Sequence, residues 1–128
     1  MMAAVAIVAA LACNDTVAPT PATPAGAYPL RGINGNPPPQ IVFAGAQGTT
    51  SIVGGLVTLR TNGTFRDSTD LETVTATGVE RSIDVGNGTW RLSNDTVFFR
   101  VQQSEYFMLR NGVELIQDFE GIELIYRR

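Results

Sequence analysis

Histidine and lysine are absent from this chain of 128 residues, and all nine of its basic side chains are arginine. Without histidine, the chain lacks the commonest general base and the imidazole that most often binds a metal ion. Without lysine it cannot form a Schiff base, and a serine nucleophile has neither of its usual partners. We therefore expect no enzyme activity, no catalytic residues, no metal site and no cofactor.

Cysteine occurs once, as Cys13, which excludes a disulfide bond within the chain. Residues 1–12 before it are apolar and rich in alanine. About ten apolar residues are too few to span a bilayer and suit the hydrophobic part of a secretory signal. The small residues before Cys13 and the polar pair Asn14-Asp15 after it resemble the lipobox of bacterial lipoproteins.

This resemblance implies that residues 1–12 are a signal segment, removed before Cys13, and that Cys13 then carries the lipid. The domain would be lipid-anchored in the bacterial cell envelope, on a periplasmic or outer face. An ordinary signal peptide followed by an incidental buried cysteine is the alternative interpretation.

Residues 13–26 combine this lipidation site with a segment rich in proline, threonine and alanine. Its prolines hold the chain extended and leave few side chains to pack. We interpret the segment as a tether between a membrane and a single domain over residues 27–128.

Charge and composition narrow the fold and the partners of that domain. The formal charge is −3 and the arginines are scattered, which argues against a nucleic-acid partner, because that partner requires a clustered basic face. Thirteen glycines and seven prolines favour strands and turns. No stretch of the domain has a convincing helical period, so we expect an all-β fold without a helix.

The clearest pattern is a hairpin over residues 84–102. Trp90 and Leu92 point to one side of its first strand, and Val97, Phe99 and Val101 share one side of its second. Residues 93–95 between them, Ser-Asn-Asp, suit a tight turn because Asn and Asp tolerate left-handed backbone.

Further strands are predicted on both sides of this hairpin. Two glycines, Gly54-Gly55, indicate a bulge in a long strand over residues 51–60, and Asn62-Gly63 predicts a tight turn after it. In the long strand, two-residue alternation places Val53, Val57 and Leu59 on one face and Ile52, Leu56 and Thr58 on the other. In the next strand Phe65, Asp67, Thr69 and Leu71 are in step. The remaining strands are predicted over residues 28–33, 40–44, 106–110, 113–117 and 122–127, with a long exposed hairpin turning near 77–78.

From residue 25 onward, the order of short motifs resembles small bacterial lipoproteins with a lipocalin-like β-barrel domain. The resemblance implies an antiparallel up-and-down meander of about eight to ten strands that forms a closed or nearly closed barrel. The motifs are Gly26-Ala27-Tyr28-Pro29-Leu30, Ile33-Asn34-Gly35, Leu56-Val57-Thr58-Leu59, Asn62-Gly63-Thr64-Phe65, Gly88-Thr89-Trp90-Arg91-Leu92, Asn94-Asp95-Thr96-Val97 and Ile122-Glu123-Leu124-Ile125-Tyr126-Arg127-Arg128.

Two non-catalytic functions therefore stand ahead of an enzyme. The first is a membrane-anchored binding module that holds a small apolar molecule in the barrel or a partner on its loops. The second is a structural subunit docked on a membrane or envelope complex. An eight-stranded barrel is the size at which side chains either fill the interior or leave room for one ligand. The candidate interior residues are Phe65, Trp90, Phe99 and Tyr126.

Overall fold

A computed structural model of the chain describes residues 23–128. The predicted signal segment, the lipidation site at Cys13 and most of the tether lie outside the described residues. The described part is all β and contains no helix, as the sequence predicts. It follows that no helix of this part is long and apolar enough to cross a membrane.

Nine antiparallel strands follow one another as a meander. Each strand pairs with the next along the chain, with the exception of β1 and β2. The bounds are β1 Gly26–Ile33, β2 Gln40–Gly45, β3 Gly48–Leu59, β4 Thr64–Thr75, β5 Gly78–Ser93, β6 Thr96–Val101, β7 Ser104–Asn111, β8 Glu114–Phe119 and β9 Ile122–Arg127.

β1 closes the sheet into a barrel because it pairs on both sides. Its first half lies against the end of β3, from Gly26 opposite Leu59 to Pro29 opposite Leu56. Its second half lies against β9, where Leu30 is opposite Tyr126. Eight strands thus form the closed barrel, and β2 is an additional strand that continues along the edge of β3 beyond β1.

The two ends of the barrel differ. We call the end that carries the turns at 60–63, 94–95 and 112–113 the closed end, and the end that carries the turns at 76–77, 102–103 and 120–121 the mouth. β3 and β4 have 12 residues each and β5 has 16, whereas β6, β8 and β9 have six each. One wall of the barrel therefore extends well past the other at the mouth.

Most of the hydrophobic core lies in the half of the barrel near the closed end. Phe65 and Phe99 meet edge to face with ring centroids 4.9 Å apart, and Tyr106 stacks on Phe99 at the same distance. Such aromatic pairs stabilise a core by about 0.5–1.5 kcal/mol beyond the burial of their area. The other members of the core are Tyr28, Leu30, Ile33, Ile52, Val57, Leu59, Val97, Met108, Leu115, Leu124 and Tyr126.

A bulge in β3 corrects one detail of the sequence prediction. The register of β3 against β4 shifts between Ile52 and Gly54, next to the glycine pair that predicted a bulge. The extra residue moves Ile52 to the interior with Val57 and Leu59, and its side chain is only 4% exposed. The assignment of Ile52 to the opposite face was wrong, because strict alternation does not continue through a bulge.

The predicted tight turns are confirmed. β5 and β6 are joined by Asn94-Asp95 alone, and Asn94 has a left-handed φ of 56°. The turn before β4 places Gly63 at a φ of 87° and is tied by the Gly63 amide, which donates to the Arg60 carbonyl at 3.0 Å. These turns place strands that are consecutive in the chain next to each other in the sheet.

Both ends of the described chain lie at the closed end. The Arg128 guanidinium donates to the Thr23 carbonyl at 3.1 Å and lies 5.0 Å from the centre of the Tyr28 ring. The Tyr28 hydroxyl in turn donates to the Pro24 carbonyl. The described chain thus begins and ends on the side opposite the mouth.

Replacing Gly63 by alanine should destabilise the domain by about 1 kcal/mol, because an L-residue is strained at this positive φ. No atom lies within 4 Å of a Cβ placed there, so the effect would come from the backbone alone. The control is Gly32→Ala, whose Cβ would meet the Ile125 Cβ at an ordinary 3.7 Å and whose φ is not left-handed. Equal urea midpoints for the two variants would contradict the turn.

Candidate functional site

The interior face of β4 changes from apolar to polar on the way to the mouth. Phe65 is fully buried in the core, and Asp67, Thr69 and Leu71 follow it on the same face at two-residue intervals. The register places Gly86 of β5 opposite Asp67, and Asp84 opposite Thr69. Polar side chains of two neighbouring strands therefore lie together just above the aromatic core.

Two adjoining cavities occupy the mouth half of the barrel. Their volumes are about 310 and 320 Å³, and both are lined by Asp67, Thr69, Asp84, Gln117 and Phe119. The first also includes Val85, Gly86 and Tyr106, and the second includes Val42, Thr50, Ile52, Leu71, Ile122 and Leu124. Mostly apolar walls with a few converging polar groups are typical of small-molecule sites.

Asp67 is the central polar group of this site. Its Oδ2 accepts a hydrogen bond from the Tyr106 hydroxyl at 2.8 Å. Its Oδ1 is buried and has no hydrogen-bond partner among residues 23–128. Burial raises the pKa of the Asp67 carboxyl, the nearby Asp84 raises it further, and the Tyr106 hydrogen bond lowers it in part.

Two tyrosine hydroxyls share this environment. Burial, followed by the charge of Asp67, raises the pKa of both Tyr106 and Tyr126, so both remain neutral donors at ordinary pH. The Tyr126 side chain is fully buried, and its hydroxyl makes no hydrogen bond of normal geometry within the described residues, although Thr69 lies beside it. Unsatisfied polar atoms thus remain beneath the cavities.

Gly86 keeps the first cavity open. A Cβ at this position would meet the Val101 Cγ2 at 3.8 Å and the Tyr106 hydroxyl at 4.0 Å, both ordinary contacts. At Gly88, two residues closer to the core, a Cβ would lie within 1.8 Å of the Arg100 carbonyl oxygen. The chain is therefore packed tightly at Gly88 and has free space in front of Gly86.

The four aromatic residues predicted from the sequence lie elsewhere in the barrel. Phe65, Phe99 and Tyr126 are fully buried in the core below the cavities, and they line neither one. Trp90 is only partly buried and packs on the core at the closed end, where its indole N–H donates to the Arg60 carbonyl at 2.9 Å. These residues form the floor and the far end of the barrel.

The sequence carries one signal for the residues that line the cavities. Asp67 and Thr69 are in step with Phe65, so their inward direction followed from alternation alone. A carboxylate on the interior face of a barrel strand is a departure from an apolar pattern, and this was the signal that could have found the site.

The acidic residues near the C-terminus behave as surface groups. Glu114 pairs with Arg127 at 2.9 Å, and Asp118 accepts a hydrogen bond from the Gly121 amide at 3.0 Å. Across residues 23–128 no group of three or more acidic, cysteine or histidine side chains is arranged to hold a metal ion.

The raised pKa of Asp67 predicts how stability depends on pH. The folded protein binds the Asp67 proton more tightly than the unfolded chain does, whose ordinary value is 3.8. As pH rises from that value through the folded pKa, ionisation therefore costs stability, and the full cost is present above it. Asp67→Asn should raise the Tm at pH 7, and this gain should shrink toward pH 3.

The matched control is Asp70→Asn, which makes the same chemical change on the outer face of the same strand. Thermal unfolding of the three proteins between pH 3 and pH 8 gives the comparison. The prediction would be contradicted if Asp67→Asn were less stable than the parent and the difference grew as pH rises. That result would mean that the ionised Asp67 carboxylate stabilises the fold.

Comparison with protein-family models, with curated proteins and with solved structures found no match to this chain. The site must therefore be interpreted from its own geometry.

Proposed function

We propose that this chain is a non-catalytic binding module of the bacterial cell envelope, anchored by lipid on Cys13, which holds a small apolar ligand in the mouth half of its barrel. The observation that carries the proposal is the pair of cavities above the aromatic core, with apolar walls and a polar floor. A pocket with mostly apolar walls and a few converging polar groups is the usual form of a small-molecule site.

The position of the first described residues supports this function. The described chain begins at the closed end, held there by the Arg128 bond to Thr23. An anchor on Cys13 would thus hold the domain by its closed end and leave the mouth free to receive a ligand.

Intact mass of the membrane fraction tests the anchor, because a chain that begins at Cys13 and carries acyl groups is expected.

The ligand space can be tested by filling it. Octan-1-ol is a suitable uncharged probe, and its binding can be followed by saturation-transfer NMR or calorimetry. Gly86→Leu places a branched side chain in the first cavity and should weaken octan-1-ol binding by at least about tenfold, since ligand and side chain would compete for one volume. Gly86→Ala, whose Cβ makes only ordinary contacts, should fold normally and bind.

Asn87→Leu is the matched control, because it introduces the same side chain on the outer face at the next position of β5. It should bind octan-1-ol as the parent does. Equal binding by the parent and Gly86→Leu, or no binding by the parent, would contradict a ligand site in this cavity.

A second function, as a structural subunit docked on an envelope complex, is favoured by one surface. Between residues 78 and 88, β5 pairs only with β4 within the described chain, and this edge exposes Val79 and Ile83, each more than 60% exposed. An unpaired edge with apolar side chains can accept a strand of a partner. This function needs no ligand in the cavities, so failure of octan-1-ol binding would favour it.

A further inference from the structure

The charged side chains that line the two cavities are both carboxylates, Asp67 and Asp84. None of the described arginines lines either cavity. The remaining polar groups of the lining are hydroxyls and the Gln117 amide, which carry no charge. Among residues 23–128, the charged side chains that line the cavities are therefore all negative.

The Asp67 carboxylate is also incompletely satisfied. One oxygen has the Tyr106 hydroxyl, and the other is buried without a partner in residues 23–128. The titratable groups that face it are Tyr106, Tyr126 and Asp84, and none of these carries positive charge. A buried carboxylate in this condition costs folding free energy, which a ligand with N–H donors and positive charge would offset.

The walls above this floor indicate the rest of the ligand. The second cavity is lined by Ile52, Leu71, Ile122 and Leu124. Phe119, which is 49% exposed, lies at its rim. Apolar groups thus surround the path from the mouth to the carboxylates. A ligand that fits this arrangement has a charged group at one end, next to the carboxylates, and an apolar body that extends toward the mouth.

We propose that the ligand is an amphipathic organic amine, whose ammonium group pairs with Asp67 and Asp84 and whose apolar body lies between Leu71 and Phe119. This inference rests on the proposed function and specifies its ligand class. An ammonium group has three N–H donors and no acceptor, so it can satisfy the free Asp67 oxygen and still bind Asp84 and the Gln117 carbonyl oxygen. A carboxylate ligand would meet two like charges instead.

The test compares three probes with one chain length and different ends: octylamine, octan-1-ol and octanoate. Calorimetry at pH 7 should show that octylamine binds at least about tenfold more tightly than octan-1-ol, with octanoate weakest, because only the amine places a positive charge against the carboxylates. Asp67→Asn and Asp84→Asn should each reduce the preference for octylamine over octan-1-ol. Asp70→Asn, on the outer face, should retain the full preference.

Acidification provides a second measurement on the unaltered chain. As the pH falls, Asp67 takes up a proton before an ordinary aspartate would, whereas octylamine stays charged. The preference for octylamine over octan-1-ol should therefore decline on acidification, and binding of octan-1-ol should not.

The outcomes separate this inference from the proposed function. If octylamine and octan-1-ol bind equally, and Asp67→Asn and Asp84→Asn change neither, the amine specificity is overturned and the apolar binding function stands. Tighter binding of octanoate would overturn it in the same way. If none of the three probes binds the parent chain, the proposed function fails, and the inference fails with it.

Discussion

The pairing of β1 with both β3 and β9 is the constraint on which the rest of the structure depends. Without it the chain would be an open meander with two long edges. With it, the strands around the core each have one face that is enclosed, and a change of one position in register would move a whole set of side chains to the other face. Closure therefore decides that Asp67 is an interior carboxylate and that Asp70 is not.

Closure of the barrel does not by itself create a cavity. The cavities at the mouth arise because the strands differ in length. The short strands β6, β8 and β9 supply enough side chains to fill the half near the closed end, where Phe99, Leu115 and Tyr126 are fully buried. β4 and β5 continue past them with Asp67, Thr69 and Asp84 on the inner side. The barrel is thus a filled base that supports an unfilled mouth, and the polar groups lie at the boundary where packing ends.

The polar groups at this boundary lower the stability of the fold, which is an argument that they serve a binding function. An apolar residue in place of Asp67 would remove a buried charge with one unsatisfied oxygen. Polar groups that weaken the folded state while lining a cavity are characteristic of binding sites, because a ligand can satisfy them. The same reasoning separates Asp67 from Glu114, whose partner Arg127 is already present on the surface.

The sequence predicted those features that depend on neighbouring residues. The Asn94-Asp95 turn, the bulge beside Gly54 and the inward face shared by Phe65 and Asp67 follow from backbone preference and alternation. The inward position of Ile52 could not be predicted from alternation. A bulge interrupts alternation, and the sequence does not specify at which residue of the strand it does so. The cavity did not follow either, since it depends on the lengths of strands far apart in the sequence.

The barrel is filled at its base, and we propose that it takes a ligand only in its mouth. Mapping amide chemical shifts during a titration with octylamine tests it most directly, because every strand reports separately. The account predicts that the perturbed amides cluster at Asp67, Asp84, Gly86 and Phe119, while those of Phe65, Trp90 and Phe99 stay unchanged. Perturbations centred on the closed end, or along the outer edge of β5 alone, would contradict it.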